Sequence, residues 1–175
     1  MTNMKEFERI YEESQVEDIL EIANQVIKDM RILNQLLFDQ GENFDDKENN
    51  QLREMSQKTD NEIKKLMKRI ENNLIRIGNA IGNRNQIIPH DKENMDKIMV
   101  GIMNQYIFTS NSIISDNILG ENYAEDLNKI HSALNNLNDN INRYNTELAK
   151  TNNWPKIIST NEALLLAKQQ INSQS

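Results

Sequence analysis

Residues Val16 to Leu37 read VEDILEIANQVIKDMRILNQLL, and the spacing of their apolar members decides the class of fold. Val16, Ile19, Ala23, Val26, Met30, Leu33 and Leu37 are separated by alternating steps of three and four residues. Such steps return to the same side of an α-helix, which turns once in about 3.6 residues. Their mean of about 3.5 is the heptad pattern by which long helices pack along a narrow seam. The stripe continues through Gln40 to Phe44. A second seam of the same kind is formed by Leu127, Ile130, Leu134, Leu137, Ile141, Tyr144 and Leu148. A third stretch, Ile63, Leu66, Ile70, Leu74 and Ile77, is expected to extend the first helix. The fold implied is all-α, with long heptad-patterned helices forming a coiled coil or elongated helical bundle. A helix with one narrow apolar stripe is marginal alone and must bury that stripe against a partner. Periodicity leaves open whether the partner lies in the same chain or in another protein.

Only two prolines and five glycines punctuate the 175 residues. Gly41 is the one glycine before residue 78, so a single N-terminal coiled-coil helix is expected over 1–78. Gly78, Gly82 and Pro89, set among asparagines, mark a linker over 79–91. A middle helix is expected over 92–120, closed by a C-cap and turn at Gly120-Glu121-Asn122. The second heptad helix covers 121–151, and Asn152-Asn153-Trp154-Pro155 ends it, because proline lacks the donor a helix interior needs. A turn and a C-terminal helix fill 152–175. That helix starts at a capping box, Ser159 with Glu162 three residues on.

Composition narrows the function. Hydrophobic residues are 37% and aromatic residues 5%, too few for one thick core but enough for seams between long helices. The 27 acidic against 20 basic residues give a net charge of −7, so a general preference for nucleic acid is not expected. With no cysteine, disulfides, thiol nucleophiles, cysteine zinc sites and palmitoylation are excluded. No apolar run is long enough to span a bilayer, so no direct membrane anchor is expected; the richest, Ile98 to Phe108, is interrupted by Gly101, Asn104 and Gln105. A cytoplasmic protein is expected.

Chemistry-bearing patterns are sparse. His90 and His131 have no histidine or cysteine at metal-ligand spacing, and His131, beside seam residue Ile130, is expected as a partly buried flank. The acidic cluster Glu42, Asp45, Asp46 and Glu48 lacks the order of a calcium loop. Gly78 and Gly82 read as a helix C-cap, since no apolar span or preceding strand accompanies them. The basic run Lys64-Lys65-Leu66-Met67-Lys68-Arg69 reads as a charged helix flank. No catalytic residue, metal or cofactor is assigned, and an enzyme is not expected.

Gln40 is the informative exception, because its place between Leu37 and Phe44 calls for an apolar side chain. A buried polar residue on a seam costs stability but sets register and partner number. The run Leu37-Phe38-Asp39-Gln40-Gly41-Glu42-Asn43-Phe44-Asp45 resembles the central stretch of a Q-type SNARE motif. The resemblance is closest to the synaptosome-associated target-membrane SNAREs, which carry two such helices on one chain. It implies that Gln40 is the central polar layer, that Ala23, Val26, Met30, Leu33 and Leu37 are preceding layers, and that Phe44 is the first layer after it. It covers Val16 to Phe44. Beyond, the spacing would place Lys47, Gln51 and Glu54 in the seam, so the seam either zips weakly there or ends near Phe44. In the second seam the matching position is Tyr144, with no glutamine.

Two functions follow. One is SNARE-like: assembly with partner helices into a parallel four-helix bundle in vesicle docking and membrane fusion, with membranes reached only through those partners. The other is a self-contained antiparallel bundle, its two main seams packed on each other, serving as scaffold, adaptor or effector through protein–protein interaction. Either way the partners are other helical proteins, and a homodimer is left open.

Overall fold

A computed structural model describes the backbone of residues 2–44, 50–83, 89–148 and 155–173, and the side chains of 19–42, 56–83, 92–147 and 155–173. The described residues form five α-helices and no strand: α1 Thr2–Phe44, α2 Asn50–Gly82, α3 Pro89–Ile114, α4 Asn117–Leu148 and α5 Thr160–Ser173. The class expected from spacing is therefore what the chain adopts, in the form of a helical bundle. At a rise of about 1.5 Å per residue, the 43 residues of α1 extend roughly 65 Å.

The stretch expected as one helix over 1–78 is two. α1 stops at Phe44 and α2 begins at Asn50, folded back beside it. Gln40 meets Ser56 and Asp29 meets Arg69, pairs whose numbers rise and fall oppositely, so α1 and α2 are antiparallel. The physical reason lies in the stripe itself. Past Phe44 it would have buried Lys47, Gln51 and Glu54, and folding back instead lets Ile63, Ile70, Leu74 and Ile77 face α1 and α4. Two further boundaries differ from expectation. Helix α2 runs on to Gly82 and α3 starts at Pro89, so the break is shorter than 79–91. The turn after α3 falls at Ser115-Asp116, with Gly120 inside α4. There the Asp116 carboxylate accepts the Ile118 and Leu119 N–H groups at 2.9 and 3.0 Å, and an aspartate N-cap outweighs one helical glycine. The expected start of α5 holds: Glu162 N–H donates to Ser159 Oγ at 3.2 Å.

Helix α1 packs on α2 and α3, α4 packs on α2 and α3, and α5 lies against α3 and α4. Ile27 lies against Gly101 and Asn34 bonds Gln105, so α1 and α3 are parallel. Asp60 meets Tyr123, and Gly78 faces Asn136 and Asn140, so α2 and α4 are parallel too. The ring order is α1–α2–α4–α3, and the connection from α2 to α3 joins diagonally opposite corners. The two heptad seams, expected to pack on each other, also stand across a diagonal and share the core with α2 and α3.

Core composition follows from the stripes. Ile19, Ala23, Val26, Met30, Leu33 and Leu37 of α1 are buried, as are Leu127, Ile130, Leu134, Leu137, Ile141 and Tyr144 of α4. Met67 and Ile81 join the α2 stripe, and α3 contributes Met95, Met99, Ile102, Met103 and Ile113. Unbranched methionines suit the irregular space where α3 meets two helices of opposite sense. Val16, Phe44 and Leu148 lie on α1 and α4, and their side chains fall outside the described set.

Candidate functional site

Gln40 is completely buried, as its seam position predicts. Its Nε2 donates to the Ser56 carbonyl of α2 at 2.9 Å and to Tyr123 Oη of α4 at 3.3 Å. Tyr123, itself fully buried, donates to Asp60 Oδ1 at 2.8 Å, and Asp60 Oδ2 lies 3.6 Å from Lys64 Nζ. One polar layer thus ties three helices at the end of the bundle where α1 gives way to α2. Burial foremost, and then the bond to Asp60, raise the Tyr123 pKa above the ordinary tyrosine value. Gln40 Oε1 is buried and accepts no hydrogen bond among the described residues. The layer is therefore incompletely satisfied, a cost a wholly apolar layer would not carry.

Other polar groups fix the remaining interfaces. Asp29 is completely buried, and Arg69 donates to it through Nε at 2.8 Å and a terminal nitrogen at 2.7 Å, with Gln25 Nε2 at 2.9 Å. This doubly bonded carboxylate raises the Arg69 pKa. Between α1 and α3, Asn34 Nδ2 donates to Gln105 Oε1 at 3.0 Å, and Thr109 Oγ1 donates to Asn34 Oδ1 at 2.6 Å. Asn138 Oδ1 accepts from Thr160 Oγ1 at 3.0 Å and from Asn161 N–H at 3.2 Å, fastening the start of α5 to α4.

Of the two glycines expected as a C-cap, Gly82 is the last residue of α2, whereas Gly78 lies inside it, and both also face α4. A Cβ at Gly78 would stand 3.4 Å from the Leu137 Cα and 3.2 Å from the amide nitrogens of Asn136 and Asn140. A Cβ at Gly82 would come within 2.6 Å of Asn140 Oδ1. The pair lets α2 and α4 approach closely within one chain. His131, expected as partly buried, is exposed; its Nδ1 lies 3.0 Å from Tyr106 Oη and the two rings stack at 6.3 Å. His90 has no described side chain. The basic run is largely paired off: Lys64 with Asp60, Lys68 with Glu71 and Arg69 with Asp29.

Among the described residues no group of three or more metal-ligating side chains converges, and no helix is long and apolar enough to cross a membrane. An open groove of about 590 Å³ between α2 and α4 has Ile75 and Ala133 on its floor and Glu71, Glu125 and Lys129 on its rim. Burial leads the causes that raise the nearby Asp126 pKa, with Lys129 and Lys64 opposing.

The residues that sequence reasoning missed are those facing away from the core. Leu165 and Leu166 on α5, Phe38 on α1, and Phe108 and Ile114 on α3 are exposed. Phe38 is one turn past Asn34 and Phe108 three residues past Gln105, so the two rings flank the α1–α3 interface. For α5 there was a signal: in Leu164-Leu165-Leu166 three consecutive helical positions cannot all face inward. Compared with known proteins, the chain matches no family model, no curated protein and no solved structure.

Proposed function

We propose that this chain is a self-contained helical bundle that works as a scaffold or adaptor in the cytoplasm, binding other helical proteins through its outward faces and catalysing no reaction. The observation that carries the reading is that the heptad stripes are spent inside the chain. Every stripe residue of α1 and α4 with a described side chain is buried against the other helices. What is left to meet a partner, among the described residues, is the outer apolar set, Ile32, Phe38, Ile75, Phe108, Ile114, Leu165 and Leu166. Circular dichroism of the chain alone tests it. High helicity with a cooperative melt, unchanged by added helices, is expected. Low helicity alone that rises strongly on mixing with SNARE helices would sink the reading.

One observation favours a second reading, SNARE-like assembly in vesicle docking. Gln40 is buried on the seam with amide hydrogen bonds to two other helices, the environment a central polar layer requires. In that mode α1 exchanges its neighbours in the chain for partner helices in a four-helix coiled coil. Val26, Met30, Leu33 and Leu37 are completely buried; at about 1.5–3 kcal/mol each, the partners must return roughly 6–12 kcal/mol. That requirement is why the autonomous bundle is the first reading.

A further inference from the structure

Helix α5 is built in reverse for an element whose only task is closing the core. Its buried residues are the small Thr160, Ala163 and Ala167, while Leu165 is 61% and Leu166 42% exposed. Leu165 is the centre of a short charged row. Glu162 stands three residues before it and Lys168 three after, and both are exposed. Steps of three drift only about 60° around a helix, so the three side chains form one inclined ridge on the outer surface. Among the described residues, neither Glu162 nor Lys168 takes part in an ion pair.

A ridge that reads acid, leucine, base is complementary to itself when turned end for end. An antiparallel crossing on a two-fold axis through Leu165 sets Leu165 against Leu165, and Glu162 of each copy against Lys168 of the other. A parallel crossing in register would oppose like charges at both ends. We propose that this face of α5 joins two copies of the chain in an antiparallel, isologous dimer, with Leu166 widening the apolar centre. The contact is small, so association in the range of about 10 µM to 1 mM is expected. It stands whether or not the bundle serves as an adaptor.

The test is sedimentation of the full chain over a concentration series to about 1 mM, with two charge variants, Glu162→Lys and Lys168→Glu. Each alone places like charges at both ends of the crossing and should weaken dimerisation about tenfold or more. Mixed in equal amounts, the two variants regain both attractive pairs, because Lys at 162 of one meets Glu at 168 of the other. The mixture should therefore associate like the unsubstituted chain. Glu162 also sits in the first turn of α5, and the mixture separates this from the pairing, since it contains the same chains with the same weakened cap. An unsubstituted chain that stays monomeric throughout overturns the proposal. So do single variants that dimerise undiminished, or a mixture no better than its components.

Discussion

Asn145 and Ile157 are joined as neighbouring strands of a sheet would be: the Asn145 amide donates to the Ile157 carbonyl at 2.7 Å and accepts the Ile157 N–H at 3.0 Å. Ile158 N–H is taken by Asp96 of α3 at 2.8 Å. The segment entering α5 is thus held by side chains of α4 and α3, while α5 itself fully buries only small residues, with Leu164 half-buried against the core. Asn145→Ala removes both bonds to Ile157 and should cost about 1–3 kcal/mol, nearly all of it local. Amide hydrogen exchange is expected to accelerate in α5 while α1 and α2 keep their protection; uniform acceleration would show that α5 does not open separately.

Arg69 is the more exposed partner of a carboxylate that no solvent reaches. Replacing it leaves Asp29 with Gln25 alone, and Arg69→Met is expected to lower stability by about 2–3 kcal/mol, less than a fully buried pair because water can enter behind the missing guanidinium. Asp29→Asn in the same background should recover part of the loss. Denaturant midpoints at constant slope measure both.

Gln40 brings an amide oxygen without a described partner into the core. Gln40→Leu removes that burden at the expense of two hydrogen bonds, and a net gain of about 0.5–1.5 kcal/mol is expected. Gln40→Ala leaves a void as well and should destabilise by about 1–3 kcal/mol. If Gln40→Leu instead costs stability, the amide is integral to this bundle.

Alkaline stability should depend on Tyr123. Its folded pKa is raised, so the folded state favours the neutral hydroxyl. Below the unfolded value of about 10 that contribution is complete, and it is lost as pH rises through the folded pKa. Unfolding free energy should fall from about pH 10 upward. Burial raises Tyr106 likewise, so Tyr123→Phe should flatten the slope without abolishing it. At pH 8 the same substitution should cost only about 1 kcal/mol, from the hydrogen bonds to Asp60 and Gln40.

Gly78 tests the close approach of α2 and α4. Atoms beyond a Cβ there would meet the Leu137 backbone, so Gly78→Leu should push the helices apart and cost about 3 kcal/mol or more. A thermal melt equal to that of the unsubstituted chain would mean the helices part without penalty.

The parts of this fold legible in the sequence are those fixed by helix geometry over a few turns. Each residue of the α1 and α4 stripes with a described side chain is buried because steps of three and four cannot land elsewhere on a helix packed along its length. The capping of α5 by Ser159 was readable for the same reason: both groups lie within one turn. What escaped depends on residues distant in the chain. Gly82 does end α2, but Gly78 resembles a helix end only until Asn136, Leu137 and Asn140 are placed against it. The reversal between Phe44 and Asn50 carries no proline or glycine, and its only sign was the stripe failing at Lys47, Gln51 and Glu54. Gln40 was identified as a polar layer, but its neighbours Ser56 and Tyr123 come from helices that periodicity alone could not assign to the same bundle.

The diagonal link between α2 and α3 divides the molecule into two halves made of near neighbours in sequence. α1 with α2, and α3 with α4, are hairpins of neighbours in sequence, whereas the α1–α3 and α2–α4 interfaces join residues 71 apart at Asn34–Gln105 and 63 apart at Asp60–Tyr123. Loop-closure entropy favours the near contacts, so the α1–α2 hairpin is expected to form ahead of the interfaces between the halves, which φ-values higher at Ile70 than at Asn34 would show. The polar ties then fall into two kinds: Asp29 with Arg69 works inside one hairpin, while the Asn34–Gln105 and Asp60–Tyr123 bonds act only once the halves meet. Those latter contacts are satisfied in one register only, whereas apolar stripes alone would tolerate a docking slipped along the axis.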